Sequence, residues 1–134
     1  ARRVVEISEI SSVDKNTGEV YKNIVYRWNA FEDNFVKENE SIKLTKISEK
    51  YGISLENLKK ELEERKKVIE WMRKKGIKDY DKVAEIIRMY YKDKQLLFET
   101  IEGKKEYEEA RKEFLIKEAK DIAELFGYRF IEVK

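Results

Sequence analysis

Carboxylates, lysines, arginines and tyrosines are the side chains left for chemistry in this 134-residue sequence, which contains no His, no Cys and no Pro. Without imidazole or thiolate the chain lacks the groups that ordinarily titrate near neutral pH. It cannot assemble a Ser-His-Asp triad, a Cys nucleophile or an ordinary zinc site. Paired carboxylates can do general acid–base work, but with 28 Asp and Glu close pairs arise by chance and single out no position. No G-x-x-x-x-G-K-S/T phosphate loop occurs, and Gly103-Lys104-Lys105 reads as a helix boundary followed by cations. No catalytic residue, metal ligand or cofactor is therefore assigned to the chain by itself, and it is read as a binding or load-transmitting piece.

The remaining candidates are contact residues. Arg65-Lys66-Lys67 and Arg73-Lys74-Lys75 place cations a turn or two apart on one helix, where they can share a face toward an acidic partner. The second triplet also suits the negative end of its helix. Tyr26 with Trp28, and Tyr90 with Tyr91, offer aromatic pairs for recognition or for core packing. Trp28, Arg65, Lys66, Trp71 and Arg73 are the interaction candidates taken forward. The run from Leu44 to Leu58, with Gly52 between a short helix and one led by Ser54, has the outline of a helix-turn-helix. A DNA reader needs cations toward the phosphates, yet Glu56, Glu61, Glu63 and Glu64 offset the cations from Lys59 to Lys67. A nucleic-acid partner is thus disfavoured, and a small DNA-binding module or a protein-interaction adaptor stands as the alternative reading.

The elements that must position these residues are α+β in class, within one domain over 1–134. Val4 to Ile10 is rich in β-branched residues and runs into the turn formers between Ser11 and Gly18. Val20 to Trp28 supplies a second strand and Phe35-Val36 a short third, making an antiparallel β-meander over 1–37. From 41 to 126 the pattern is helical, with Gly52, Gly76, Gly103 and Gly127 as breaks and about four helices between them. The inward faces are expected at Ile42, Leu44, Ile47 and Tyr51, then Leu55, Leu58, Leu62, Ile69 and Met72, widened by Val68 and Trp71. Tyr80, Val83, Ala84, Ile87 and Tyr91 follow, in a helix that bends or ends near Asp93. Tyr107, Ala110, Phe114, Ile122 and Leu125 face inward in the last helix. Residues 128–134 are a tail or a closing strand.

Thirty Lys and Arg against 28 Asp and Glu leave a net charge of +2, too little to draw in nucleic acid or anionic lipid. No apolar run approaches the roughly 18 residues that cross a bilayer, and the start is unlike a signal peptide. A cytoplasmic location without membrane insertion is expected. The abundance of Lys and Glu, at 43% charged residues, matches proteins of hot-living organisms, where ion-pair networks gain from cheaper charge desolvation.

Arg2-Arg3-Val4-Val5-Glu6-Ile7-Ser8-Glu9-Ile10, the turn at Gly18 and Asn23-Ile24-Val25-Tyr26-Arg27-Trp28 together resemble the region that closes the motor domain of archaeal type II/type IV secretion ATPases. These motors assemble pili and archaella. The resemblance continues through Glu64 to Met72 and Gly76 to Val83, and covers about Arg2 to Leu97. It implies a C-terminal fragment without the Walker motifs, since the phosphate loop, the acidic boxes and the histidine box precede the double arginine. ATP and Mg belong, on this reading, to the intact parent motor alone. Arg2 and Arg3 match the arginine pair and would face the nucleotide-binding core there. The implied partners are the motor core, neighbouring subunits of a hexamer, and the membrane platform or pilin machinery, in a cytoplasmic complex peripheral to the membrane. The resemblance has no counterpart for 103–134.

Overall fold

The computed structural model describes residues 2–129 and Ile131. Three strands come first: β1 (Glu6–Val13), β2 (Val20–Asn29) and β3 (Asn34–Lys37), paired antiparallel in the order β1-β2-β3. Five helices follow: α1 (Ile42–Tyr51), α2 (Leu55–Lys75), α3 (Tyr80–Lys92), α4 (Lys94–Ile101) and α5 (Tyr107–Leu125). The α+β order of strands and then helices is the expected one. The chain divides into two compact units, residues 1–63 and 64–134, with the boundary inside α2.

In the first unit the turn between β1 and β2 is built by Asp14, whose Oδ1 accepts from Asn16 N at 2.8 Å and Thr17 N at 3.0 Å. This is the local competition by which a short acidic side chain ends a strand. Register shifts after Ile7 and Ile10 bend β1, an edge strand, and such bulges discourage pairing with a further chain. Glu9 ties the sheet to α1. Its carboxylate accepts from the Ser41 hydroxyl, from Ile42 N at 2.9 Å, Lys43 N at 3.2 Å and Asn23 Nδ2 at 3.2 Å. Ser41 Oγ in turn accepts from Leu44 N at 3.0 Å, so two side chains satisfy the orphan amides at the start of α1. Gly52 closes α1 in the left-handed region at φ 65°, and Ser54 Oγ accepts from Asn57 N at 3.1 Å to open α2. Val25 and Leu58 are the buried apolar residues of this unit.

The second unit holds the main core: Val68 and Trp71 of α2, Ile86, Met89 and Tyr90 of α3, Leu96 and Leu97 of α4, and Ala110 and Phe114 of α5. Asp93 explains the fifth helix. Its N–H closes α3 on Met89 O at 2.8 Å while its carboxylate accepts from Leu96 N at 3.2 Å, so one residue ends one helix and caps the next. The expected break at Asp93 is therefore a real boundary with a helix on each side.

Several inward faces differ from expectation by about one position. In α2, Val68 and Trp71 are buried as expected and Met72 packs partly buried against the core, whereas Ile69 is exposed; in α3, Ile86, Met89 and Tyr90 are buried, whereas Tyr80, Ile87 and Tyr91 are exposed. In α5, Ala110 and Phe114 are buried as expected, whereas Ile122 and Leu125 are exposed. In α1, Ile42, Ile47 and Tyr51 are likewise exposed. These helices carry more apolar residues than one face can bury, and packing selects among them. Tyr128 and Arg129 form no strand; Phe130 and residues 132–134 lie outside the described residues.

Candidate functional site

The described residues present several contact surfaces. Among those residues no group of three or more Asp and Glu is arranged to hold a metal ion, and no helix is long and apolar enough to cross a membrane. Arg3 lies with its guanidinium 4.6 Å from the centre of the Trp28 ring. It donates to Asp33 Oδ1 at 2.8 Å, and the same oxygen accepts from Trp28 Nε1 at 3.0 Å. This closed triangle of cation, indole and carboxylate fixes the corner between β2 and β3, where Asp33 takes a positive φ of 49°. Arg3 and Trp28, chosen separately from the sequence, are thus brought together. Their polar groups are engaged with Asp33. Arg2 is exposed.

The first unit also presents a groove of about 450 Å³ walled by Ile7, Val25, Tyr26, Leu44 and Leu62 and rimmed by Lys37, Glu40 and Lys59. Glu40 pairs with Lys37 at 2.6 Å and with Lys59 at 3.7 Å. The hydrogen bond and charge of Lys37 hold the Glu40 carboxyl below its ordinary range. On the sheet, Val4, Val5, Ile7, Ile10, Val13 and Val20 are each more than half exposed.

In the second unit a cleft of about 350 Å³ opens between α2 and α3. Val68, Ile69 and Met72 form one wall, Val83, Ile87, Tyr90 and Tyr91 the other, and Arg65 stands at its edge. The Arg65 guanidinium lies 5.7 Å from the Tyr90 ring centre and 5.9 Å from that of Tyr91, and the two rings meet edge to face at 5.3 Å. Of the α2 cations Arg65, Lys66 and Arg73, Arg65 is the one shown against an aromatic surface among the described residues. Lys66 and Arg73 are exposed on α2, Arg73 in its last turn beside Lys74 and Lys75. Trp71 is in the core, 7% exposed and edge-on to Tyr107 at 5.4 Å, so packing engages its ring.

Sequence reasoning did not find the ion pairs that hold α5. Arg111 grips Glu85 through Nε at 2.6 Å, and Glu118 receives Arg88 Nε at 2.9 Å and Lys92 Nζ at 3.1 Å. Burial raises the Glu118 carboxyl, but the hydrogen bonds from Arg88 and Lys92 outweigh it and leave the group below its ordinary value. The heptad-like spacing of Glu85, Arg88 and Lys92 is the only signal in the sequence, and it is no different from that of a solvated charged face.

Comparison with curated proteins gives no match. A family model described as PilB3-like, C-terminal matches residues 32–114, more than half of the chain. The matched stretch takes in β3, α1 to α4 and the part of α5 that reaches Phe114, hence nearly all of the core and the α2–α3 cleft. The chain belongs to the PilB3-like, C-terminal family.

Proposed function

We propose that this chain is the C-terminal, non-catalytic portion of an archaeal pilus-assembly ATPase of the type II/type IV secretion superfamily, where it transmits nucleotide-driven movement by contact. The observation that carries the reading is the family match over residues 32–114. The exposed apolar side chains of Val4, Val5, Ile7, Ile10, Val13 and Val20 are of the kind a motor core would cover. ATP and Mg would act in that core. Arg3, engaged with Asp33 and Trp28, would stiffen the corner next to it. Ion pairs of Glu85 with Arg111 and of Glu118 with Arg88 and Lys92 join α3 to α5, which suits a part that passes a load.

Two measurements test the reading. Isothermal calorimetry of the chain with ATP and Mg should give no heat of binding, and tight Mg-dependent binding would overturn the non-catalytic assignment. Sequencing the reading frame ahead of Ala1 should reveal a G-x-x-x-x-G-K-T loop and acidic boxes. A frame without them would remove the motor and leave a free-standing interaction module.

A further inference from the structure

Three lysines meet at the connection between α2 and α3. Lys75 ends α2, Lys78 follows Gly76 and Ile77, and Lys82 lies in the first turn of α3. With Ile77, and with Tyr107 at the start of α5, they line a recess of about 320 Å³. None of the three pairs with a carboxylate among the described residues, although Lys22, Lys37, Lys92, Lys94 and Lys105 each do. The two acidic residues of the recess are already engaged: Asp79 accepts from Lys82 N at 3.2 Å as the cap of α3, and Glu108 stands 3.9 Å from Arg111.

Two of these cations sit where the backbone disfavours them. The last turn of α2, with Arg73, Lys74 and Lys75, is the negative end of a helix and suits positive charge. The start of α3 is a positive end, yet Lys78 comes just before its cap and Lys82 is half-buried in its first turn. A half-buried ammonium at a positive helix end, without a counter-charge, is a local conflict of the kind found where a surface is built to bind. Tyr107 adds another. Its hydroxyl is shielded from solvent and has no hydrogen-bond partner, and burial raises the phenol above its ordinary pKa, which keeps it a donor in want of an acceptor.

Each of these groups lacks the same thing, a negatively charged acceptor. We infer that the recess binds an acidic peptide segment of a partner protein, with one carboxylate seated among Lys75, Lys78 and Lys82 and accepting from the Tyr107 hydroxyl. A segment suits the site better than one small anion. The ten positions from Arg73 to Lys82 hold five cations against two acids, Asp79 and Asp81, an excess of three that takes several carboxylates to match. Ile77 in the recess and Tyr80, next in sequence to Asp79 and 85% exposed, offer apolar ground that a bare anion leaves unused. The site is built from the second unit alone and stands or falls apart from the motor reading.

The experiment is fluorescence anisotropy of a fluorescein-labelled hexaglutamate titrated with the whole chain at low ionic strength. The parent chain should bind, and Lys78→Glu combined with Lys82→Glu should weaken binding at least about tenfold. Carboxylates suit the start of a helix, so this variant should melt no lower than the parent, and its lost binding is then not lost folding. Lys46→Glu combined with Lys60→Glu makes the same change of net charge in the first unit and should leave binding within about twofold of the parent. Tyr107→Phe removes a hydroxyl that has no partner in the free chain, so it should keep the melting temperature and weaken binding about three- to tenfold. Unlabelled hexaglutamate should displace the probe at lower concentration than pyrophosphate does. A parent chain that leaves the anisotropy unchanged, an equal loss in the first-unit control, full binding by Tyr107→Phe, or pyrophosphate displacing the probe as well as hexaglutamate would each overturn the inference.

Discussion

Replacing Phe114 with Ala tests how α5 is anchored. Phe114 is 2% exposed in a core built from four helices, and removing a phenyl ring from such a site costs about 3–5 kcal/mol through lost transfer and an unfilled cavity. In a unit of this size each kcal/mol moves the melting temperature by about 4–8 °C, so the expected fall is on the order of 12–40 °C. Leu125→Ala, three turns further along the same helix, removes an isopropyl group at a position that is 80% exposed. Its effect should stay within about 0.5 kcal/mol, because Ala is as good a helix former as Leu. The assay is thermal unfolding by far-ultraviolet circular dichroism. Fluorescence of Trp71 in a Trp28→Phe background reports on the second unit alone, since Trp71 sits in its core. Equal losses from the two substitutions, or a loss below about 1 kcal/mol from Phe114→Ala, would refute the picture of a helix pinned by its first half and free in its last turns.

Hydrogen bonds to Glu9, from Ser41 first and then Asn23, Ile42 and Lys43, hold its carboxyl below the ordinary value of 4.5. A lowered folded pKa contributes stability that is present above 4.5 and lost as pH falls through the folded value, so Glu9→Gln should flatten the acid limb of a stability–pH profile. An unchanged acid limb would argue against the cap. Asp79 opens α3 by accepting from Lys82 N at 3.2 Å, so Asp79→Ala should cost about 0.5–2 kcal/mol in urea unfolding while Asp79→Ser restores most of it. Gly76 takes φ 69°, where a Cβ crowds the following carbonyl, and Gly76→Ala should lower stability by about 1–2 kcal/mol in the same assay.

Local chemistry was legible in the sequence wherever one residue governs its own neighbourhood. The strands, the turn between β1 and β2, the start of α2 at Ser54 and the helix ends at Gly52 and Gly76 were all expected from composition and order. These depend on backbone dihedrals and on hydrogen bonds only a few residues long, which side-chain type decides. Asp93 was read as a break, and its second use as the cap of α4 belongs to the same short-range class.

Selection among competing apolar faces was not legible. Ile69, Ile87, Tyr91, Ile122 and Leu125 have the spacing of core residues, and so do Val68, Trp71, Ile86, Met89 and Phe114, yet only the second set is buried. Pattern alone ranks the two sets equally, because each lies on a helical stripe; which one meets another helix depends on how far and at what rotation the helices pack. The reach of Glu9 to the start of α1, the meeting of Arg3 with Trp28 and the salt bridges from α3 to α5 join residues distant in sequence, and no local rule foresees them. The sequence by itself determined the class of the fold, its breaks and the types of side chain left for contact. Only the tertiary structure decided which apolar stripe became core and which became surface, since burial is a property of two packed elements and not of one.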